Sequence, residues 1–158
     1  MTPATIRKPA EGRTIAVVGD VYRFLATGED TNGKYALWEA IVPSGGGPPP
    51  HVHGREEEGF YVLEGEIIFQ VGDRRLVASA GTFANMPVGT THSFTNESGK
   101  TARMLISVAP AGLERMFFEF GVPLPEGSTT ALPPTKEEIE KLLAVAPSYG
   151  IEIRLPPA

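Results

Sequence analysis

The chain holds three histidines, and all of them fall between positions 51 and 92. His51-Val52-His53 places two imidazoles at i and i+2, which on an extended backbone share one face and stand close enough to bind one metal ion. Glu56, Glu57 and Glu58 follow at once, and His92 comes later, across a stretch rich in turn residues. Three imidazoles and one carboxylate make a donor set with positions left over for water or substrate, suited to iron(II), nickel, cobalt, manganese or zinc. None of the 158 residues is cysteine. Disulfides, thiolate zinc sites, iron–sulfur ligation and a cysteine nucleophile are thereby excluded, and a metal must sit on imidazole, carboxylate or water. Strand parity does not choose among the glutamates. In a continuous strand Glu57 would share the face of the histidines, but Gly54-Arg55-Glu56 reads as a loop or bulge that resets the alternation.

The elements that must position these residues are short. Eighteen glycines and 15 prolines punctuate the chain, and the segments between them are rich in valine, isoleucine, phenylalanine and tyrosine. This pattern predicts an all-β sandwich or barrel. Eight strands are expected: Thr14–Val18, Val21–Ala26, Tyr35–Val42, a run from Gly59 to Val71 broken in two at Glu64-Gly65-Glu66, Arg75–Ala78, Gly81–Met86, His92–Asn96 and Ala102–Val108, with the broken run read as one jelly-roll position. Pro43-Ser44-Gly45-Gly46-Gly47-Pro48-Pro49-Pro50 is the strongest breaker. Too few residues precede it for a separate core, so it is read as a loop over the mouth of one barrel.

After Pro110 the apolar period changes from 2 to 3.6. Leu113, Met116, Phe117 and Phe120 predict a short amphipathic helix closed by Gly121, either a lid packed on the barrel or a gate over a pocket. Thr135-Lys136-Glu137-Glu138 reads as a capping box, and Ile139, Leu142, Leu143 and Ala146 give the next helix one apolar face. Residues 1–12 are expected to form a flexible arm or an edge strand exchanged with a partner. A single domain over residues 1–158 is expected, with the barrel at about 14–110 and a helical extension at about 112–149.

Charge narrows the partners. The balance is −5, and the 14 basic residues are scattered, Arg55, Arg74, Arg75 and Arg115 among them, so nucleic acid and anionic membranes lack their usual electrostatic attraction. The first residues hold no apolar signal segment and no run is long enough to span a bilayer, which points to a cytoplasmic protein.

Two longer intervals complete the picture. Gly45, then His51-x-His53, Glu58 and Gly65 form one block, and Gly81, then Pro87-x-Gly89, His92 and Asn96 form a second. Both resemble the two sequence motifs of the cupins, a family of small jelly-roll barrels, and together they cover about a third of the chain. The resemblance implies His51, His53, Glu58 and His92 as ligands of one divalent transition metal. It selects Glu58 over Glu57 through the interval to Gly65, and it leaves Asn96 to serve a turn. The phrase Pro48-Pro49-Pro50-His51-Val52-His53, continuing at Phe60-Tyr61-Val62-Leu63-Glu64-Gly65, is similar to single-domain cupins of the quercetin 2,3-dioxygenase type. The tail from Glu138 to Ile151, ending Pro156-Pro157, is similar to theirs also.

That resemblance implies an enzyme that cleaves a flavonol or a related enolisable aromatic with O2. The metal would act as Lewis acid and template, and Glu58 would be the catalytic residue that takes the substrate's hydroxyl proton. Trp38, Phe60, Phe69, Phe94 and Met104 suit ordinary barrel core; facing inward beside a metal, they would line an apolar substrate pocket. Other cupin activities stand as alternatives: a metal-dependent binding protein without turnover, or an isomerase or decarboxylase of a small acid or sugar. Cupins commonly dimerise by extending their sheets, so a homodimer is expected.

Overall fold

A computed structural model of the chain describes residues 2–155; Pro156 and Pro157, the end of the similar tail, lie outside them. Among the described residues there are twelve strands: β1 (Thr14–Val17), β2 (Asp20–Ala26), β3 (Ala36–Val42), β4 (His51–His53), β5 (Glu57–Glu64), β6 (Glu66–Val71), β7 (Arg74–Ser79), β8 (Phe83–Met86), β9 (His92–Thr95), β10 (Ala102–Ala109), β11 (Val122–Leu124) and β12 (Ile151–Ile153). The helices are α1 (Gly28–Thr31), α2 (Leu113–Phe120) and α3 (Lys136–Val145), and a 3-10 turn spans Ala146–Tyr149.

The strands form two antiparallel sheets. One runs in the order β11-β1-β2-β3-β10-β5-β8 and the other β12-β4-β9-β6-β7. Their inner faces share one core, built on Phe24, Trp38, Phe60, Ile67, Met104 and Ile106, all fully buried. Each such side chain contributes about 1.5–3 kcal/mol through burial. Gly65 (φ 81°) turns the chain from one sheet to the other, and a Cβ there would press on Ala102 at 3.0 Å. This is why the long apolar run breaks at that position.

The eight expected segments all carry strands. β4, β11 and β12 are additional, each of three residues, too short for alternation to declare itself. β11 pairs with β1 from Thr14↔Leu124 to Ala16↔Val122 and so covers that edge of the sheet. Within the single chain the described residues before β1 form no strand. They fold back on their own chain, with Arg7 3.3 Å from Asp30 and the Gly12 amide donating to Glu126.

The helices dock as their apolar spacing requires. Leu113, Met116, Phe117 and Phe120 of α2 are buried. On α3 the capping box is half formed: Thr135 Oγ1 accepts from the Glu138 amide at 3.2 Å, but the Glu138 carboxylate turns away and accepts from the Val18 amide at 2.8 Å. That bond ties the helix to the turn between β1 and β2. As a result the apolar face is narrower than its sequence suggests, with Leu142 and Ala146 buried but Ile139 and Leu143 exposed.

The loop at 43–50 crosses one end of the barrel. Gly45 donates to the Asn96 carbonyl at 2.7 Å, and the Asn96 amide donates back to Gly46 at 3.0 Å. The Asn96 side chain adds bonds to the Val42 and Lys100 carbonyls at 2.9 and 2.7 Å, so its role is to lock this loop. At Gly47 the loop approaches β9 so closely that a Cβ would meet the Phe94 carbonyl at 2.0 Å.

Candidate metal centre

The mouth loop delivers the chain into β4, where His51 and His53 point to the same side of the backbone. β4 is held on one flank by β12, with Ile151 opposite His53 and Ile153 opposite His51. On the other flank it meets β9 through His51↔His92. Facing them from the other sheet is Glu58, on β5 between β10 and β8 (Val108↔Glu58↔Met86). The four side chains converge: one ligand atom from each of His51, His53, Glu58 and His92 lies within 4.8 Å of all the others. Glu57, one residue earlier, is exposed on the outer face.

Each imidazole is oriented from behind. His51 Nδ1 lies 2.9 Å from the Pro49 carbonyl, and His92 Nδ1 2.9 Å from the Thr90 carbonyl. His53 Nδ1 faces Glu56 Oε2 at 3.4 Å. With Nδ1–H donating to these oxygens, the Nε2 lone pairs are left for the centre of the cluster, the usual second layer of support for a metal-binding histidine. Glu58 Oε1 stands 2.8 Å from His92 Nε2 and 3.2 Å from His53 Nε2. Yet His53 Nε2, fully buried, has no aligned hydrogen-bond partner. Nitrogen lone pairs gathered around a carboxylate need a cation among them, so the donor set is compatible with a divalent metal.

Burial and the neighbouring carboxylates set the charge of each group. Burial pushes His51 down to about 4, with Glu58 opposing the change. Burial would also lower His53, but the Glu56 and Glu58 carboxylates outweigh it and raise it to about 9. Burial would raise Glu58; the contacts with His53 and His92, reinforced by the positive charge of His53, hold it well below the carboxylate range. The site thus keeps its carboxylate ionised by placing positive charge beside it.

A small, largely apolar cavity of about 70 Å³ opens beside the cluster. Gly47, Pro48 and Pro49 of the loop line it, with Phe94, Ile106, Leu142, Ile151 and Ile153 around the sides. Leu113, Met116, Phe117 and Phe120 of α2 form its roof, so the helix is packed on the barrel and also walls the cavity. Of the five aromatic and sulfur side chains considered as pocket lining, Phe94 lies on the cavity. Trp38, Phe60, Phe69 and Met104 are absent from the wall and fill the core instead; Phe60 shares its strand face with Glu58 and Met104 with Ile106, but each stands one pleat further along, away from the cavity. Two polar residues on the wall, Asp20 and Tyr22, and the Glu56 support of His53 were not singled out from the sequence. Arg55 is exposed beside Gly150, and no lysine or arginine lines the cavity among the described residues.

Two antiparallel sheets closed over a His/His/Glu/His cluster define a cupin barrel. Residues 38–108 match the family model described as Cupin domain. Among curated proteins the chain is similar to quercetin 2,3-dioxygenase of Aspergillus japonicus, 27% identical over 86% of this chain and 41% of that protein. It is also similar to quercetin 2,3-dioxygenase of Bacillus subtilis (strain 168), 23% identical over 96% of this chain and 44% of the relative. The chain spans less than half the length of these curated relatives. Among solved structures, a predicted oxalate decarboxylase of Thermotoga maritima superposes with a TM-score of 0.62 at 20% identity, over 67% of this chain and 99% of that one. An RmlC-like cupin of Shewanella frigidimarina gives 0.60 at 20% identity, over 73% and 99%. At such identities these structures speak for the fold alone. No helix is long and apolar enough to cross a membrane among the described residues.

Proposed function

We propose that this cupin is a metal-dependent dioxygenase that cleaves a flavonol or a related enol-bearing aromatic with O2. The observation that carries the reading is the convergence of His51, His53, Glu58 and His92 beside a largely apolar cavity that His51, His53 and Glu58 help to line. The relatives named quercetin 2,3-dioxygenase support it. His51, His53 and His92 would hold the ion with Glu58, and iron, nickel, cobalt, manganese and zinc all suit this set. A bound metal would supply Lewis acidity and a template for the substrate's oxygens. The chain's own residues would do the rest. Glu58 engages the histidines through Oε1, which leaves Oε2 to receive the substrate's hydroxyl proton. No histidine remains for that task, since all three sit in the cluster. The α2 roof and the prolines of the mouth loop would keep water from the reacting centre.

A phosphorylated sugar is disfavoured as substrate by the lack of basic side chains on the described wall. The same proposal includes a homodimer formed through a sheet edge; Phe83 on β8 and Val77 on β7, the outermost strands, are 65% and 64% exposed. Light scattering giving the 16.9 kDa mass of one chain at micromolar concentration would remove that part. The activity is tested by loading purified protein with each metal in turn and following a flavonol's absorption band together with oxygen uptake. Bleaching with oxygen consumption is expected. An unchanged band, in a buffer where an authentic quercetinase bleaches it, overturns the reading.

A further inference from the structure

Asp20 opens β2 at the tip of the first hairpin, inside the cavity wall. Its residue is 2% exposed, and Oδ1 has no hydrogen-bond partner. A buried carboxyl without a partner costs free energy that the fold could have avoided with any apolar residue. The mouth loop even makes room for it: a Cβ at Gly46 would stand 2.5 Å from Oδ1, so only glycine lets the loop seat there. Tyr22, two residues on along the same face of β2, also lines the cavity, and burial holds its hydroxyl well above the ordinary tyrosine range, so it too keeps its proton. Asp20 and Tyr22 belong to the sheet opposite the three histidines.

We propose that Asp20, with Tyr22 beside it, is a second polar contact on the cavity wall that selects ligands carrying a hydroxyl or carbonyl oxygen in addition to the oxygens held at the metal centre. This rests on the reading of the cavity as a substrate site. Burial pushes the Asp20 carboxyl up to about 8, so at neutral pH it carries a proton and donates to the ligand's oxygen. Apart from these two and the metal-site residues the lining is apolar, Val17, Val18, Leu142 and Phe120 included, so a donor there decides between otherwise matched ligands.

The test is titration calorimetry on metal-loaded protein with two matched ligand pairs. One pair is 3-hydroxyflavone and the same flavonol bearing hydroxyls on its other rings; the other is dibenzoylmethane and its para-hydroxylated form. The wild-type protein is expected to prefer the hydroxylated member by about ten-fold, the scale of one net hydrogen bond. Asp20→Leu should bring that ratio close to one, while Asp20→Asn, which keeps a donor in the same shape, should retain most of it. Metal content of each variant checks that the barrel has folded. An equal ratio in wild type and Asp20→Leu overturns the proposal, as does the absence of any preference in the wild type. A preference that depends on Asp20 in the diketone pair, with neither flavonol binding, sustains the subsite and removes the flavonol assignment. Failure of both pairs to bind overturns the two together.

Discussion

The two sheets supply opposite halves of the candidate site and hold them differently. Glu58 and Asp20 come from the seven-stranded sheet, and the three imidazoles from the five-stranded one. β5 is paired along its length with β10 and on its far side with β8, so the carboxylate sits on backbone fixed by the barrel itself. β4 has three residues, touches β9 only at His51↔His92, and takes the rest of its pairing from β12, which follows the barrel by some forty residues of helix and loop. The acidic half is thus preformed by the core, while His51 and His53 depend on the last strand of the chain. A small barrel can in this way place one part of a metal site by packing and the other by a distant clamp.

The comparison yields four expectations. His92 is the histidine anchored by the body of the five-stranded sheet, through Val71↔His92, as well as touching β4. His92→Ala should abolish metal content, measured on freshly purified protein, and with it any activity; full stoichiometry retained would mean that the cluster is not the ligand set. Next comes Asp20 on the acidic half. Its carboxyl is raised from 3.8 to about 8, so the folded state resists losing a proton that the unfolded chain gives up readily. The sign follows: its contribution becomes steadily less favourable as pH rises from 3.8 to about 8. Asp20→Asn should therefore stabilise the metal-free protein at pH 8 by about 3 kcal/mol and show little gain near pH 4, read from urea melts at both. Equal gains at both pH values would show that the carboxyl is not held neutral.

Smaller effects test the clamp. Ending the chain before Gly150 removes β12 and should weaken metal affinity by about 100-fold, the range seen when the support behind a ligand is lost. Competition with a chelator reads this directly, and an unchanged affinity would mean that the barrel alone holds β4. The smallest change is expected from Glu56→Gln, which weakens the hold on His53 Nδ1 and should cost about ten-fold in the same assay. An effect as large as that of the truncation would shift the weight from the clamp to this single contact.

Much of this was legible in the residue order. Eight period-2 segments bounded by glycine and proline mark nine of the strands, and the switch to period 3.6 marks α2 to the residue. The motif intervals bring together the four donors that converge, including Glu58 in place of Glu57, because turns such as Gly65 fix register locally. What was not legible depends on pairing across the chain. Ile151-Glu152-Ile153 alternates, but three residues carry no weight until β4 is there to pair with them. Asp20 reads as a turn residue after Val18-Gly19, and only the closed loop above it makes it a buried carboxyl. Parity alone does not separate inward residues on the core, such as Trp38 and Met104, from those on the cavity, such as Phe94.

Trp38 carries a last consequence. It is the chain's one tryptophan, fully buried, and its Nε1 has no hydrogen-bond partner. Its ring lies 5.7 Å from Tyr22 on the cavity wall and 5.5 Å from Phe117 in the roof helix. An indole in such a dry setting emits toward the blue, and two of its aromatic neighbours, Tyr22 and Phe117, line the cavity that a ligand would enter. The protein therefore contains its own optical gauge: a single native tryptophan that reports, without any label, on the roof and the wall of the chamber it does not itself line.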